Sequence, residues 1–174
     1  MKKIILIVGP SGVGKDTLIN YLKKELDNND DYNFINRYIT RIPDENEKNY
    51  YLGEEAFRIL NDQGFFVSSW YAHKNCYGIA KNDILEGINI ISISRKHISD
   101  FEENYEHVTT VHVTLPKLML LERLRLRKRE SEAQIMQRIK RSYEKIESKN
   151  LIEFENVKKI DKSAKAFLQI IKSI

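Results

Sequence analysis

The apolar residues of this chain come in short unbroken runs that are separated by longer amphipathic stretches. Ile4 to Val8 is entirely apolar and rich in β-branched residues, which is typical of a strand buried on both faces of a parallel sheet. Similar runs predict further strands over 34–40, 65–70, 88–94, 108–114 and 152–157. Because strands and helical stretches alternate, we predict an α/β fold in which helices flank a parallel sheet, with the chemistry at the carboxyl ends of the strands.

The amphipathic stretches between the strands predict the helices. Apolar spacing and suitable first residues give predicted helix starts at Lys15, Glu54, Pro116 and Asp161, the last as an N-cap, and a further helix carries Ile135. Residues 84–87 are expected to be the end of another helix. In the helix that begins at Pro116, we expect Leu118, Leu121 and Leu124 to pack inward.

One segment interrupts the regular order. Residues 34–80 hold short strand-like runs and many tyrosines, and we expect them to form a small inserted lobe. We therefore predict a single domain over 1–174, with a core of 1–33 and 81–174 and a lid over about 127–137. A chain of 174 residues, 41% of them apolar, is long enough for one cored domain and too short for two full ones.

The first predicted strand leads directly into a glycine-rich turn and a helix. Gly9, Gly12 and Gly14 allow the backbone to curl with its N–H groups pointing inward, and Lys15 follows at the positive end of the helix. Strand, G-x-x-x-x-G-K and helix in this order form a P-loop. The residues expected to bind nucleotide phosphates are Gly9, Pro10, Ser11, Gly12, Val13, Gly14, Lys15, Asp16 and Thr17. The alternative is an ordinary strand-to-helix turn with a chance lysine.

Asp16 departs from the P-loop pattern, which usually has Ser or Thr at this position. A carboxylate beside phosphates is repulsive unless a cation lies between them, and carboxylate oxygens are good magnesium ligands. We therefore expect Asp16 to contact Mg²⁺, and the neighbouring Thr17 leaves the choice of ligand open.

Composition narrows the function classes. No apolar run approaches the roughly 18 residues of a membrane span, and the apolar start runs directly into the loop, so we expect neither a membrane anchor nor a signal peptide. The single cysteine, Cys76, cannot form an internal disulfide, which suits a reducing cytoplasm.

The net charge of +4 is unevenly distributed. Residues 117–149 contain 11 Lys and Arg against 5 Asp and Glu, whereas residues 43–62 contain 6 acids and 2 bases. A basic helix pair could bind nucleic acid or form a solvated face, but we favour a small anionic substrate and no nucleic acid partner. The sequence leaves the oligomeric state open, including a homodimer.

Several short strings occur together, in order: GKD at 14–16, RYITR at 37–41, SW-x-A at 69–72 followed by YG, and SR-x-H at 94–97. Together they resemble the guanylate kinase group of P-loop kinases and, within it, the ribose 1,5-bisphosphate phosphokinases, the PhnN proteins of phosphonate breakdown. The resemblance covers nearly the whole chain. It implies ATP and Mg²⁺ as cofactors, and phosphoryl transfer to the 1-phosphate of ribose 1,5-bisphosphate to give 5-phosphoribosyl 1-diphosphate (PRPP).

Three positions separate this chain from guanylate kinases proper. Those enzymes have a glutamate that accepts hydrogen bonds from guanine; its position falls on or near Ser68, whose hydroxyl cannot replace a carboxylate facing two ring donors. A second guanylate kinase arginine is replaced by Asp44, and Arg37 stands where those enzymes have a small hydroxyl residue. These changes fit an acceptor that has more phosphate groups than GMP and no nucleobase. Alternatively, Arg37 forms a surface ion pair with the loop over 44–47.

The resemblance also implies roles for residues outside the loop. Lys15, Arg127 and Arg138 are expected to be catalytic, with the two arginines closing over the transferred phosphoryl group; the alternative is that they form a solvated helix face. Arg123 and Asn156 are expected to contact the nucleotide. The candidates for binding the acceptor are Arg37, Arg41, Ser68, Tyr77, Ser94 and Arg95.

Two other functions stay open at this level. One is a nucleoside monophosphate kinase, with GMP as the acceptor, and the other is a non-catalytic interaction module on the same scaffold. The complete loop and the retained arginines argue against the module. Trp70 is interpreted as a core or rim residue, and structural roles are expected for the histidines, which lack metal-ligand spacing: His73, His97, His107 and His112.

Overall fold

The computed structural model describes residues 1–42, 49–126 and 131–174. Within them, the strands are β1 (Lys2–Val8), β2 (Tyr32–Ile35), β3 (Tyr38–Ile39), β4 (Tyr50–Tyr51), β5 (Phe66–Ala72), β6 (Asn75–Ala80), β7 (Gly87–Ser92), β8 (His107–Thr114) and β9 (Leu151–Glu155). The helices are α1 (Lys15–Glu25), α2 (Glu54–Asp62), α3 (Ile98–Glu102), α4 (Lys117–Leu126), α5 (Glu132–Ser142) and α6 (Ile160–Ser173). Two 3-10 turns cover Lys81–Asp83 and Arg95–His97.

The main sheet has five parallel strands in the order β2-β7-β1-β8-β9. Its central strand β1 is buried on both faces, because Ile5 and Ile7 pack into one apolar cluster while Ile4, Leu6 and Val8 pack into another. The first cluster includes residues of α1, α4, α5 and α6, and the second includes residues of α3. The predicted α/β fold with a parallel sheet flanked by helices is thus confirmed.

The second sheet is built from β3, β4, β5 and β6, in the order β4-β3-β6-β5. Its β5 and β6 form an antiparallel hairpin around His73 and Lys74, both of which have positive φ. Helix α2 covers this sheet through Phe57, whose ring stacks on Phe66 with centroids 4.6 Å apart. Gly78 lies under Phe66, because a Cβ at position 78 would come within 2.6 Å of the Phe66 ring.

The predicted strand over 34–40 is wrong as a single strand. The chain pairs with β7 through Ile35 and then leaves the main sheet, so that Tyr38 and Ile39 pair with β6 in the second sheet. Arg37 lies between the two strands. Its placement relative to Arg41 therefore follows from a change of sheet rather than from the alternation of side chains along one strand.

The predicted helix end over 84–87 is also wrong, since only a 3-10 turn precedes β7. The buried Asn89 accepts a hydrogen bond from Leu85 N and donates to the carbonyl oxygens of Leu85, Gly87 and Lys3. One asparagine thus satisfies the backbone groups of a non-helical entry into the strand.

Two helix details differ from the sequence analysis. Leu118, expected to pack inward, is 74% exposed; the inward side of α4 consists of the buried Leu120 and Leu124, and Leu121 packs partly buried against the same cluster as expected. Asp161 lies inside the first turn of α6, and the N-cap residue is Lys159, which makes no side-chain cap hydrogen bond. Among the described helices, none has the length and apolar character that crossing a membrane requires.

Candidate active site

The loop between β1 and α1 requires glycine because other parts of the chain approach it closely. Gly9 and Gly14 have φ values of +148° and +99°, and a Cβ on Gly9 would lie 2.3 Å from the Val113 carbonyl oxygen. A Cβ on Gly14 would lie 2.7 Å from Nδ2 of Asn156. The loop is therefore packed against the carboxyl ends of β8 and β9, at the edge of the sheet where the chemistry is predicted.

Lys15 is the first residue of α1, and its side chain folds back over the loop. Its Nζ donates hydrogen bonds to the carbonyl oxygens of Gly9, at 2.6 Å, and Pro10, at 3.1 Å. The ammonium group is thus held beside the amino end of α1, where the N–H groups and the helix dipole favour an anion. This arrangement is suited to binding phosphate.

Two side chains from outside the loop support it. The Val13 carbonyl oxygen accepts a hydrogen bond from Nδ2 of Asn156, at 2.8 Å, and another from Nη1 of Arg123, at 3.3 Å. Asn156 is buried. Both residues were expected from the sequence to contact the nucleotide, which stays a prediction; in the structure they connect the loop to α4 and to the end of β9.

A cleft of about 400 Å³ lies between the loop and the second sheet. Lys15 and Asp16 line it from the loop side, and Arg37, Arg41 and Tyr77 line it from the other. Three cationic side chains and one carboxylate therefore face the same space. Such a cleft attracts multiply charged anions, and the carboxylate offers an oxygen ligand to a cation that accompanies them.

The acceptor candidates of the sequence analysis divide into two groups. Arg37, Arg41, Tyr77 and Ser94 all line the cleft, together with Thr17 of the loop. The guanidinium carbon of Arg37 lies 5.8 Å from the Tyr77 ring centre, within the range of a cation–π interaction. Ion pairing of Arg37 with residues 44–47 concerns a loop outside the described residues.

Ser68 and Arg95 have partners away from the loop. Ser68 is buried and its Oγ donates a 2.6 Å hydrogen bond to Oδ2 of Asp100. Nη2 of Arg95 lies 3.1 Å from Oε2 of Glu144, which follows α5. Their binding of the acceptor stays a prediction.

Of the two arginines assigned to the predicted lid, only one lies among the described residues. Arg127 and the first part of the lid lie outside the described residues. Arg138 lies on α5 and is half-buried. Its role at the transferred phosphoryl group stays a prediction.

Two residues that were not predicted from the sequence to belong to the site also take part in this region. Trp70 lines the cleft and stacks on Tyr77, with ring centroids 5.5 Å apart and planes 7° from parallel. His97 also stacks on Trp70, with a centroid distance of 5.3 Å. The signal was present, since the SW-x-A and SR-x-H strings contain these two residues, but their contact depends on the fold.

His112 lies behind the loop, on β8, and is buried. Neither ring nitrogen has a hydrogen-bond partner among the described residues, although Nδ1 lies 3.5 Å from Oε1 of Glu153. Burial lowers the pKa of His112, and Glu153 opposes that shift. The net effect of these surroundings is to favour the neutral form of the imidazole.

Comparison with known proteins agrees with this geometry. A family model described as an AAA domain matches residues 5–137. A curated ribose 1,5-bisphosphate phosphokinase PhnN from Bradyrhizobium diazoefficiens is 30% identical, and the alignment covers 98% of this chain and 88% of that protein. Another PhnN, from Thiobacillus denitrificans, is 34% identical, covering 80% of this chain and 76% of the relative.

Solved structures support the fold. Guanylate kinase from Anaplasma phagocytophilum superposes with a TM-score of 0.66 at 20% identity, covering 99% of this chain and 85% of that one. At this level of identity the similarity establishes the architecture alone. The sequence relatives carry the more specific information.

Proposed function

Because this chain belongs to the ribose 1,5-bisphosphate phosphokinase family, the PhnN proteins, within the guanylate kinase-like P-loop kinases, we propose that it phosphorylates ribose 1,5-bisphosphate. The protein is an ATP-dependent phosphotransferase. The product is 5-phosphoribosyl 1-diphosphate, and the pathway context is phosphonate catabolism.

The observation that carries the proposal is the distribution of charge across the cleft. Arg37 and Arg41 face the lysine of the loop across about 400 Å³ of space. An acceptor with two phosphates can use both guanidinium groups, since arginine binds phosphate through charge-assisted hydrogen bonds. Ribose 1,5-bisphosphate has this charge pattern and no nucleobase.

The donor is proposed to bind at the loop. The loop N–H groups and Lys15 would hold the β- and γ-phosphates of ATP, and Asp16 would hold the Mg²⁺ ion that accompanies them. Magnesium is commonly held by one or two carboxylates together with substrate phosphates, and Asp16 lines the cleft beside Lys15 as this requires. The metal supplies charge neutralisation at the phosphates when it is bound.

The reaction needs little covalent help from the protein. An oxygen of the acceptor's 1-phosphate attacks the γ-phosphorus, the bond between that phosphorus and the β,γ-bridging oxygen breaks, and ADP leaves. The attacking phosphate is already anionic, so no general base is required. Lys15, Arg127 and Arg138 are proposed to stabilise the charge that spreads over the transferred group.

A coupled ADP-release assay tests the proposal directly. Purified protein receives ATP and Mg²⁺ with ribose 1,5-bisphosphate, GMP, AMP or ribose 5-phosphate in parallel, and product is identified by its mass. We expect turnover with ribose 1,5-bisphosphate at a kcat/KM at least tenfold above that of any other acceptor. Faster turnover of GMP would replace the proposal by guanylate kinase activity, and turnover of none would favour an interaction module.

The magnesium role of Asp16 has its own test. In the Asp16→Ser variant we expect the Mg²⁺ concentration for half-maximal activity to rise, because the carboxylate ligand is replaced by a hydroxyl. Asp27→Ser, at an exposed position beyond α1, is the matched control. An unchanged magnesium requirement in Asp16→Ser would rule out metal contact by Asp16.

A further inference from the structure

Four side chains follow one another in a stack, and three of them, Arg37, Tyr77 and Trp70, line the cleft. The Arg37 guanidinium lies over the Tyr77 ring, at 5.8 Å from its centroid. Tyr77 stacks on Trp70 at 5.5 Å, and Trp70 stacks on His97 at 5.3 Å, with planes 7° and 25° from parallel. Each of the four planar groups thus lies within stacking or cation–π distance of the next.

The far end of the stack is fixed by a carboxylate. Nδ1 of His97 lies 2.9 Å from Oδ2 of Asp100, and the same oxygen accepts the 2.6 Å hydrogen bond from Ser68 Oγ. An imidazole bonded to a carboxylate through one nitrogen is held in orientation. The plane of His97, and with it the plane of Trp70, is therefore set from outside the cleft.

The stack joins the two sheets. Trp70 and Tyr77 belong to β5 and β6 of the second sheet, and Arg37 lies just before β3. His97 ends the 3-10 turn that follows β7, and Asp100 lies on α3, so both are attached to the main sheet, which also carries the loop. Arg37 also donates a 3.5 Å hydrogen bond from Nε to Oδ1 of Asn49, and the rings provide a second connection, from its guanidinium group to the main sheet.

We propose that Trp70 and His97 are positioning residues for the acceptor, which hold Tyr77 and Arg37 in the orientation that receives its phosphate. The inference rests on the proposed function, in which Arg37 binds the acceptor. An unsupported arginine loses considerable side-chain freedom when it binds an anion, whereas a guanidinium already held over a ring loses less. The stack therefore favours acceptor binding without touching the donor.

The expected effect is a change in the KM of the acceptor. Aromatic pairs of this kind correspond to about a 2- to 12-fold effect on an equilibrium constant. We expect Trp70→Leu and His97→Leu each to raise the KM for ribose 1,5-bisphosphate by about three- to tenfold. The KM for ATP stays within twofold of the wild-type value, which also shows that the variants are folded.

Conservative replacements separate stacking from other structural roles. Trp70→Phe and His97→Phe keep a ring in the stack, and we expect both to remain within threefold of the wild-type acceptor KM. The matched controls are Tyr71→Leu, an exposed aromatic residue next to Trp70, and His107→Leu, an exposed histidine at the opposite end of the main sheet. Equal acceptor KM values in the Leu, Phe and control variants would overturn the positioning role, as would equal increases in the KM values of ATP and acceptor.

A second readout does not require turnover. Trp70 is the only tryptophan of the chain, so its fluorescence reports on the stack itself. We expect titration with ribose 1,5-bisphosphate to change the emission of the wild-type protein, and His97→Leu to weaken the apparent affinity by the factor seen in KM. If the wild type phosphorylates GMP and not ribose 1,5-bisphosphate, the proposed function fails. The KM for GMP in the same variants then tests the positioning role. An emission that no phosphorylated acceptor changes would overturn that role.

Discussion

Replacing Asn156 by alanine would distinguish support of the loop from contact with the nucleotide. In the structure its amide donates to the Val13 carbonyl oxygen at 2.8 Å, and a Cβ on Gly14 would collide with the same nitrogen. If Asn156 mainly supports the loop, its loss must destabilise the protein without any ligand present. If it mainly contacts adenine, the free protein should be unaffected.

The magnitude follows from the local hydrogen bonding. Asn156→Ala removes one buried hydrogen bond and leaves the Val13 oxygen with the longer, 3.3 Å bond from Arg123. Because the oxygen keeps one partner, the loss should cost about 0.5–1.5 kcal/mol of unfolding free energy, and in a chain of this size each kcal/mol corresponds to roughly 2–4 °C in Tm. Asn156→Asp should cost at least as much, because it keeps the shape and turns an acceptor toward the carbonyl oxygen.

Equilibrium urea unfolding of the nucleotide-free protein is the appropriate assay, with the KM for ATP and the preference for ATP over GTP measured in parallel. Asn28→Ala, at an exposed position after α1, should change stability by no more than about 0.5 kcal/mol. An Asn156→Ala protein as stable as the wild type, but with a reduced preference for ATP over GTP, would refute the supporting role.

Three further predictions concern other parts of the molecule. Lys15→Met should lower kcat by about 10²–10³ in the ADP-release assay while leaving the urea midpoint nearly unchanged; a smaller loss would mean that the ammonium does not act on the transferred group. Gly78→Ala should destabilise the protein by about 1–3 kcal/mol in urea unfolding, and adding Phe66→Leu should recover part of that loss, since the clash is with the Phe66 ring. Burial lowers the pKa of His112 in the folded protein. In the unfolded chain this histidine is protonated near its ordinary pKa of about 6.5, whereas in the folded protein it stays deprotonated at that pH. The free energy of unfolding should therefore fall as the pH drops below about 6.5. The urea midpoint of His112→Phe should fall less between pH 7 and pH 5 than that of the wild type, and parallel curves would contradict this assignment.

Local sequence patterns were sufficient to predict those elements of the fold that are determined by residues adjacent in sequence. The buried strand β1, the glycine-rich turn and the start of α1 are contiguous, so their hydrophobic spacing and glycine positions predict them directly. The strand over 34–40 failed because β propensity does not reveal which sheet supplies the partner, and the chain changes sheets near Arg37. The helix end over 84–87 failed because the side chain of Asn89 satisfies the backbone there.

In the site, too, residues close together in sequence could be predicted, whereas contacts between distant segments could not. The lysine and glycines of the loop are recognisable from sequence, and the strings shared with the family indicate Arg37, Arg41 and Tyr77, all of which line the cleft. The contact between Trp70 and His97 could not be predicted, because it joins a strand of the second sheet to a turn that follows β7 of the main sheet. The packing of that turn and of α3 against β5 brings the two residues together.

The folded-back lysine has a consequence for how a nucleotide enters. With its ammonium group already solvated by the Gly9 and Pro10 carbonyls, the side chain is ordered before any ligand arrives. In the proposed function, a phosphate would take the place of these carbonyls as the partner of an ammonium group that the protein has already oriented, so the entropic cost of ordering that side chain is met by folding and not by binding.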